Sequence, residues 1–254
     1  MTFYVRLLGA LALVLLLVLL GVGCLQRKLL YFPSHEPSTR LALNGGLVPW
    51  ECEGRYAGYA RLVERPERVW LFTHGNGGQA AQRGYALHCF SPRDSVYVLE
   101  YPGYGDRPGE LSKESFDAAA EAAFRFLCAR HGADKVCVLG ESLGSGPASH
   151  LATLNPAPRR IVLVVPFAVL TDVAQEQFPL LPVRLLMLDR WDNIKSLSGY
   201  KGRLDIHGAI HDRVIPVEHA RRLAAALPGS HYHEFDGDHG WARCDHVDLS
   251  VPDL

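Results

Sequence analysis

The sequence has no excess of either charge, no low-complexity tail and no internal repeat. Its 26 lysines and arginines stand against 27 aspartates and glutamates, which leaves a formal net charge of −1. Because no basic field is present to attract a phosphate backbone, we expect no nucleic-acid partner. The 16 prolines and 24 glycines are spread along the chain, which argues against a flexible linker and favours a folded domain.

The cysteines also lack any motif. They lie at Cys24, Cys52, Cys89, Cys128, Cys137 and Cys244. No two of them have C-x-x-C spacing, and no cluster of histidine, cysteine and aspartate has the spacing of metal ligands. We therefore predict neither a metal site nor any other cofactor.

One long run has no charged residue, from Leu7 to Leu25. As a helix that rises 1.5 Å per residue it would span about 28 Å, close to the hydrocarbon thickness of a bilayer. We therefore predict a membrane anchor in residues 1–27 and a folded domain in residues 28–254. A cleaved signal peptide is the alternative, although the apolar region of such peptides is usually about 7–15 residues long.

The same segment gives a prediction of location. Arg6 lies on one side of the apolar run, and Arg27 and Lys28 lie on the other, so the positive charges are nearly balanced. This balance does not set the orientation; we predict a single-pass membrane protein and favour the extracytoplasmic side for its domain. The small residues before Cys24 leave a lipoprotein signal open as a further alternative.

Beyond the apolar run, buried strand patterns alternate with helical patterns, which is typical of a parallel sheet with crossover helices. The predicted strands lie within 68–74, 95–105, 135–140, 160–167, 203–208 and 231–238, and the second of these segments ends in a glycine-rich turn. One helix is predicted between Ser112, as its N-cap, and Gly132, as its stop. The interval 170–200 contains two prolines and is predicted to form a small cap of two short helices. The fold class is therefore α/β, a mostly parallel sheet with helices on both faces.

Four predicted strands end in residues that carry chemistry. The first ends in His74-Gly75-Asn76-Gly77-Gly78, and the later ones are followed by Ser142, Asp212 and His239. Ligands of open parallel sheets bind beyond the carboxyl ends of the strands, so these residues are expected to meet at one edge. This convergence favours a catalytic serine over the alternative, a serine that only caps a helix.

Each of these residue types suits nucleophilic acyl transfer. Ser142 lies in Gly-Glu-Ser-Leu-Gly, where a tight strand-to-helix turn exposes the hydroxyl and requires small residues on either side. His239 would be the general base and Asp212 would hold its tautomer. The backbone N–H groups of Leu143 and Asn76 are the expected oxyanion donors.

Other residues compete for two of these roles. Asp172 is the alternative acid, because it also follows a predicted strand. His211, beside Asp212, is expected to be a surface neighbour rather than the base. His74 is expected to be structural and to lie under the glycine-rich loop.

The motifs THGNGG, YPGYG, GESLGSG, HGAIHDRVIP and GDHGW resemble the α/β-hydrolase superfamily at matching strand ends. With LLYFPS and LPVRLLMLDRWDN, nearly the whole chain is similar to the membrane-anchored α/β-hydrolase domain proteins. That branch contains lysophospholipid lipases, protein depalmitoylases and bacterial members of unassigned substrate. The resemblance departs at the end of the chain, where few residues are left for the usual closing helix.

The function expected from the residues and the resemblance together is hydrolysis of carboxylic esters or thioesters through a covalent acyl-enzyme. The expected partner is a small or lipid-like acyl ester, with the membrane contacted by the N-terminal segment. A serine peptidase or an acyltransferase on the same three residues stays open, and so does a non-catalytic binding protein of the same fold.

Overall fold

The computed structural model describes residues 2–38, 42, 45–243 and 247–250. In chain order its strands are β1 Phe32–Pro33, β2 Val48–Cys52, β3 Arg55–Arg61, β4 Val69–Thr73, β5 Gly77–Gly78, β6 Ser95–Leu99, β7 Val136–Glu141, β8 Arg160–Val164, β9 Arg203–Ala209 and β10 His231–Phe235. The α-helices are α1 Thr2–Leu30, α2 Lys113–His131, α3 Ser145–Leu151, α4 Leu170–Gln177, α5 Val183–Leu186, α6 Asn193–Leu197 and α7 Val217–Ala226. Four 3-10 segments lie at Ala80–Cys89, Ala133–Lys135, Ser142–Gly144 and Trp241–Arg243.

Eight strands form the central sheet, in the order β10-β9-β8-β7-β4-β6-β3-β2. The strands from β10 to β6 pair in parallel, whereas β3 and β2 are added antiparallel at one edge. The mostly parallel sheet is therefore confirmed, and all six predicted strands are present. The two antiparallel strands were not predicted. A separate parallel pair joins β1 to β5, directly beside the glycine-rich loop.

The core has two layers because successive side chains of a strand point to opposite faces. Leu71 packs with residues of α2, α3 and α7 on one face. Trp70 and Phe72 pack on the other face, against the 3-10 segment Ala80–Cys89 and Trp241. The described residues that cover this second face include the 3-10 segments Ala80–Cys89 and Trp241–Arg243 and the helical Ala42.

The cap interval differs from the prediction in its number of helices. It contains α4, α5 and α6, three short helices where we expected two. The break between α4 and α5 holds Pro179 and Pro182, and a proline restricts the residue before it to extended conformations. The cap is therefore a succession of short helices, of eight, four and five residues.

The predicted transmembrane anchor is not borne out by the structure. The segment is helical, as α1, but among the described residues no helix is long and apolar enough to cross a membrane. The side chains of residues 14–20, at the centre of the predicted anchor, and of Cys24 lie outside the described residues.

Candidate active site

Ser142 directly follows the carboxyl end of β7, on a turn whose backbone conformation few residues adopt. Its φ is +52°, in the left-handed region that residues with a side chain seldom adopt. A Cβ on Gly140 would lie 2.6 Å from the Cβ of Ala148, and one on Gly144 would lie 1.9 Å from the carbonyl oxygen of Thr73. The small residues that the pattern requires are therefore present because the turn leaves no room for any other residue.

The histidine predicted as the base lies beside this serine. His239 Nε2 is 2.9 Å from Ser142 Oγ, and His239 Nδ1 is 2.7 Å from Asp212 Oδ2. The three residues follow the ends of β7, β9 and β10. Ser142 and His239 are 97 residues apart along the chain, and Asp212 and His239 are 27 apart. The structure thus brings together the three side chains that the sequence singled out.

Asp212 is held more firmly than the histidine. Its side chain is 1 % exposed, against 27 % for that of His239. Its second oxygen accepts hydrogen bonds from the backbone N–H groups of Val214, at 2.8 Å, and Ile215, at 2.9 Å. A carboxylate fixed in this way can orient the imidazole ring and stabilise a positive charge on it.

The competing residues lie elsewhere. Asp172 bonds to Arg184 Nε, at 3.1 Å, and to Arg222, at 2.7 Å, within the cap and helix α7. His211 lies 2.8 Å from the exposed Asp236. Neither takes part in the contact between Ser142 and His239.

The glycine-rich loop lies against the serine. A Cβ on Gly75 would be 3.5 Å from the Cβ of Ser142, and Asn76 and Leu143 line the same cavity as Ser142. Tyr104 donates to the carbonyl oxygen of Asn76 at 2.8 Å and so holds this loop from beneath. The two residues predicted as oxyanion donors therefore line the same cavity as the Ser142 hydroxyl.

That cavity has a volume of about 270 Å³. Its walls are aliphatic and aromatic, and they come mainly from the cap and from the end of α1. The residues that line it, within the described part of the chain, carry no charged side chain. Such a cavity fits an apolar group attached to the carbonyl that the serine would attack.

Comparison with known proteins decides the family. The family model of the alpha/beta hydrolase fold matches residues 71–198, which is half of the chain. The chain belongs to the α/β-hydrolase fold family. An uncharacterised protein of Mycobacterium tuberculosis is 30% identical over 231 residues, which cover 82% of this chain and 78% of that protein.

Solved structures agree on the fold of this α/β-hydrolase. An esterase of Pyrococcus furiosus superposes with a TM-score of 0.62 at 14% identity, covering 82% of this chain and 90% of the esterase. A thioesterase domain from the curacin biosynthetic pathway gives a TM-score of 0.58 at 12% identity, over 80% of this chain and 95% of that domain. Identities this low show a shared fold alone, and they do not distinguish the membrane-anchored branch.

The hydrolase fold contains a buried charge network that sequence reasoning missed. Glu141, directly before the serine, accepts hydrogen bonds from Gly75 N, at 3.2 Å, and from Tyr85 Oη, at 2.9 Å. Arg83 donates to the carbonyl oxygens of Gly75, at 3.4 Å, and Gly77. Glu141 is visible in the motif, but nothing in the sequence around Arg83 indicates that it lies in the interior.

Burial and charge oppose each other in this network. Burial raises the pKa of Glu141, but the Arg83 charge and the Tyr85 hydroxyl more than offset it, and the net pKa is lowered. Burial also lowers the pKa of His74, and the Arg83 charge acts in the same direction. His74 lies buried beneath the loop, with Nδ1 2.7 Å from the carbonyl oxygen of Gly75. Its position agrees with the expected structural role.

No group of three or more histidine, cysteine, aspartate or glutamate side chains among the described residues is arranged to hold a metal ion. The contacts of His239 join a hydroxyl, an imidazole and a carboxylate in series. That arrangement can move a proton away from an attacking serine.

Proposed function

We propose that this protein is a serine hydrolase that cleaves carboxylic esters or thioesters through a covalent acyl-enzyme. The observation that carries the proposal is the position of His239, within hydrogen-bond distance of both Asp212 and Ser142, the serine that lines an apolar cavity. A serine hydroxyl is a weak nucleophile until a neighbouring base takes its proton, and this geometry supplies the base.

In the first half of the reaction, Ser142 Oγ attacks the substrate carbonyl carbon and His239 Nε2 takes the hydroxyl proton. Asp212 stabilises the imidazolium that forms, because it faces Nδ1 at 2.7 Å. The carbon–oxygen or carbon–sulfur bond then breaks, and His239 gives the proton to the leaving alcohol or thiol. Water, deprotonated by His239, releases the acid from Ser142 in the second half.

The oxyanion of the tetrahedral intermediate requires donors beside the serine. We propose the backbone N–H groups of Leu143 and Asn76, whose residues border the cavity at Ser142. Donors of this type often contribute about 3–4 kcal/mol of transition-state stabilisation each. The buried Glu141 and Arg83 contribute indirectly, since their bonds to Gly75 and Gly77 fix the loop that carries Asn76.

The proposed substrate class follows from the cavity. Its uncharged, largely apolar lining favours an acyl group with a hydrocarbon chain over a charged or strongly polar one. The esterase and thioesterase among the structural neighbours are consistent with this class.

A fluorophosphonate probe tests the nucleophile directly. We expect the wild-type protein to be labelled, Ser142→Ala to lose all labelling and ester turnover to fall by roughly 10⁴-fold or more. Ser198→Ala is the matched control, because this serine is exposed and its hydroxyl bonds only to a nearby carbonyl oxygen, that of Lys195. Labelling that persists in Ser142→Ala would falsify the proposed nucleophile.

Paired substitutions test the acid and the base. Asp212→Asn should lower kcat by roughly 10⁴-fold, because the amide favours the wrong tautomer of the imidazole. Asp172→Asn, which changes the competing carboxylate, should leave kcat within about twofold of wild type. His239→Ala and His211→Ala form the second pair, which tests the base. Equal losses of kcat in the two members of either pair would refute the role that the pair tests.

The reaction type is tested on matched substrates. Acyl p-nitrophenyl esters, acyl thioesters and aminoacyl amides are compared under the same conditions, with and without an alcohol acceptor. We expect hydrolysis of esters and thioesters to exceed that of amides. Faster amide cleavage would indicate a peptidase, transfer to the alcohol would indicate an acyltransferase, and the absence of all turnover and labelling would indicate a binding protein.

We also propose, from the sequence alone, that the uncharged segment Leu7–Leu25 holds the protein at a membrane, with the domain on the extracytoplasmic side. Fractionation of cells that produce the full chain provides the test, with carbonate washing to remove peripheral proteins. Recovery of the whole protein in the wash would contradict the proposed anchor.

A further inference from the structure

The cavity beside Ser142 is lined on one side by residues at the boundary between the predicted anchor, 1–27, and the predicted domain, 28–254. Gln26, Leu29 and Leu30, in the last turn of α1, and Phe32 after it, all line the cavity. The opposite wall comes from the cap, including α4 and α5. The last turn of α1 is therefore part of the site and not only a connection to it.

Gln26 fastens this turn to the cap. Its Nε2 donates to the carbonyl oxygen of Leu186, at 3.2 Å, and its Oε1 accepts from the backbone N–H of Leu188, at 2.7 Å. Leu186 itself lines the cavity. The Gln26 amide thus fixes the distance between the two walls of the cavity, although they are about 160 residues apart in the sequence.

Arg27 provides a second attachment. Its Nε lies 3.0 Å from Asp189 Oδ2, and the Asp189 side chain is 1 % exposed. The other oxygen of Asp189 accepts from the backbone N–H of Lys113, at 2.8 Å. Because the carboxylate is fixed at the start of α2, the ion pair sets the position of α1 relative to the cap and the sheet.

The same turn reaches the loop beside the serine. Asn76 Nδ2 donates to the carbonyl oxygen of Leu30 at 2.5 Å. Asn76 Oδ1 accepts from the backbone N–H of Phe32 at 3.3 Å. The end of α1 therefore has a fixed position relative to both the cap and the proposed oxyanion loop.

We propose that the last turn of α1 is the specificity-determining wall of this site, and that the acyl chain of the substrate lies between Leu29 and Leu30 on one side and the cap helices α4 and α5 on the other. The inference rests on the proposed function and names its substrate class as medium-length, unbranched acyl esters or thioesters. A volume of about 270 Å³ is slightly below the lower end, about 300 Å³, of ordinary ligand pockets, which limits the chain that can be enclosed.

The two leucines differ in a way that makes them separately testable. Leu29 is 61 % exposed, so it lies at the mouth of the cavity and a larger side chain there narrows the entrance without filling the core. Leu30 is half-buried and lies deeper. Leu25, one turn earlier on the same helix, is 50 % exposed but does not line the cavity.

The test is a chain-length series of p-nitrophenyl esters from acetyl to decanoyl, measured on the full chain. In Leu29→Trp we expect kcat/KM for octanoyl and decanoyl esters to fall about tenfold or more relative to acetyl, because a pocket contact of this size changes discrimination by that order. Leu25→Trp, the matched control, should keep the wild-type profile. Circular dichroism and fluorophosphonate labelling of Ser142 show that each variant is folded.

Leu30→Ala gives an independent result if Leu29→Trp does not fold. It enlarges the cavity, so the preferred ester should become longer, while the backbone carbonyl that binds Asn76 is retained. An unchanged chain-length profile in the folded variants, with labelling intact, would overturn the specificity wall and leave the proposed function standing. No labelling and no turnover of any ester by the wild-type protein would instead refute the proposed function.

Discussion

Glu141 and Arg83 show how single residues shape this site. Glu141 precedes the proposed nucleophile and is buried, and its partners are the Tyr85 hydroxyl, the Gly75 backbone and the Arg83 charge. A buried carboxylate is tolerated only when it is paired and hydrogen-bonded. Because the same arginine bonds to two carbonyl oxygens of the loop, the pair joins that loop to the strand that carries Ser142.

We expect Arg83→Met to lower the free energy of unfolding by about 3–5 kcal/mol, because it leaves Glu141 buried without its cation. Urea unfolding measures the change. Arg93→Met is the control, because Arg93 and its partner Glu67 are exposed, at 72 % and 49 %, and such pairs contribute at most about 1 kcal/mol. A loss no larger than that of the control would show that the buried pair is not stabilising.

The caps of α2 are the clearest case at the scale of an element. Ser112 Oγ accepts from the backbone N–H of Ser115 at 3.1 Å, and Gly132 ends the helix with a φ of +92°. Both boundaries were predicted from the sequence, because a cap depends on residues that are neighbours in the chain.

Ser112→Ala should therefore destabilise the protein by about 1 kcal/mol, the usual cost of losing an N-cap hydrogen bond. The measurement is urea unfolding followed by circular dichroism. Ser112→Thr keeps a hydroxyl and should recover most of the loss, whereas Ser198→Ala removes an exposed hydroxyl and should change little. An equal loss in Ser112→Thr would show that the hydrogen bond is not the cause.

Strands β2 and β3 are elements that the sequence did not reveal. Pro49 lies inside β2 and Gly58 lies inside β3, and both residue types argue against a strand interior in the sequence. The proline is accommodated because β2 is the edge of the sheet. Gly58 is required because a Cβ there would lie 2.2 Å from the carbonyl oxygen of Val98 on the neighbouring strand. Only the position in the sheet explains these residues.

At the scale of the whole molecule, His207 links stability to pH. It is buried on β9 and stacks on His233 of β10, with ring centroids 5.0 Å apart. Burial lowers the pKa of His207 from 6.5 to about 4, with His233 and Arg160 acting in the same direction and Asp205 opposing them. Between about pH 4 and pH 6.5, the unfolded chain therefore binds a proton at His207 that the folded chain does not bind.

The contribution of His207 to stability is therefore fully present above about pH 6.5 and is lost as the pH falls toward about 4. We expect the loss to be about 3 kcal/mol. Urea unfolding over this pH range measures it, and His207→Leu should flatten the dependence by that amount. Replacing the exposed His231 with leucine should leave the slope unchanged; a similar flattening there would assign the effect to the general charge of the protein.

The sequence by itself determined the parallel core, the caps of α2 and the three side chains at the strand ends. These depend on local patterns, since buried parallel strands are apolar throughout and their carboxyl ends meet at one edge. The tertiary structure alone decided that the Arg83 charge lowers the pKa of Glu141 and that Gln26 reaches the cap about 160 residues away. Contacts of this kind depend on how distant surfaces pack against each other, and no periodic pattern in the chain encodes them.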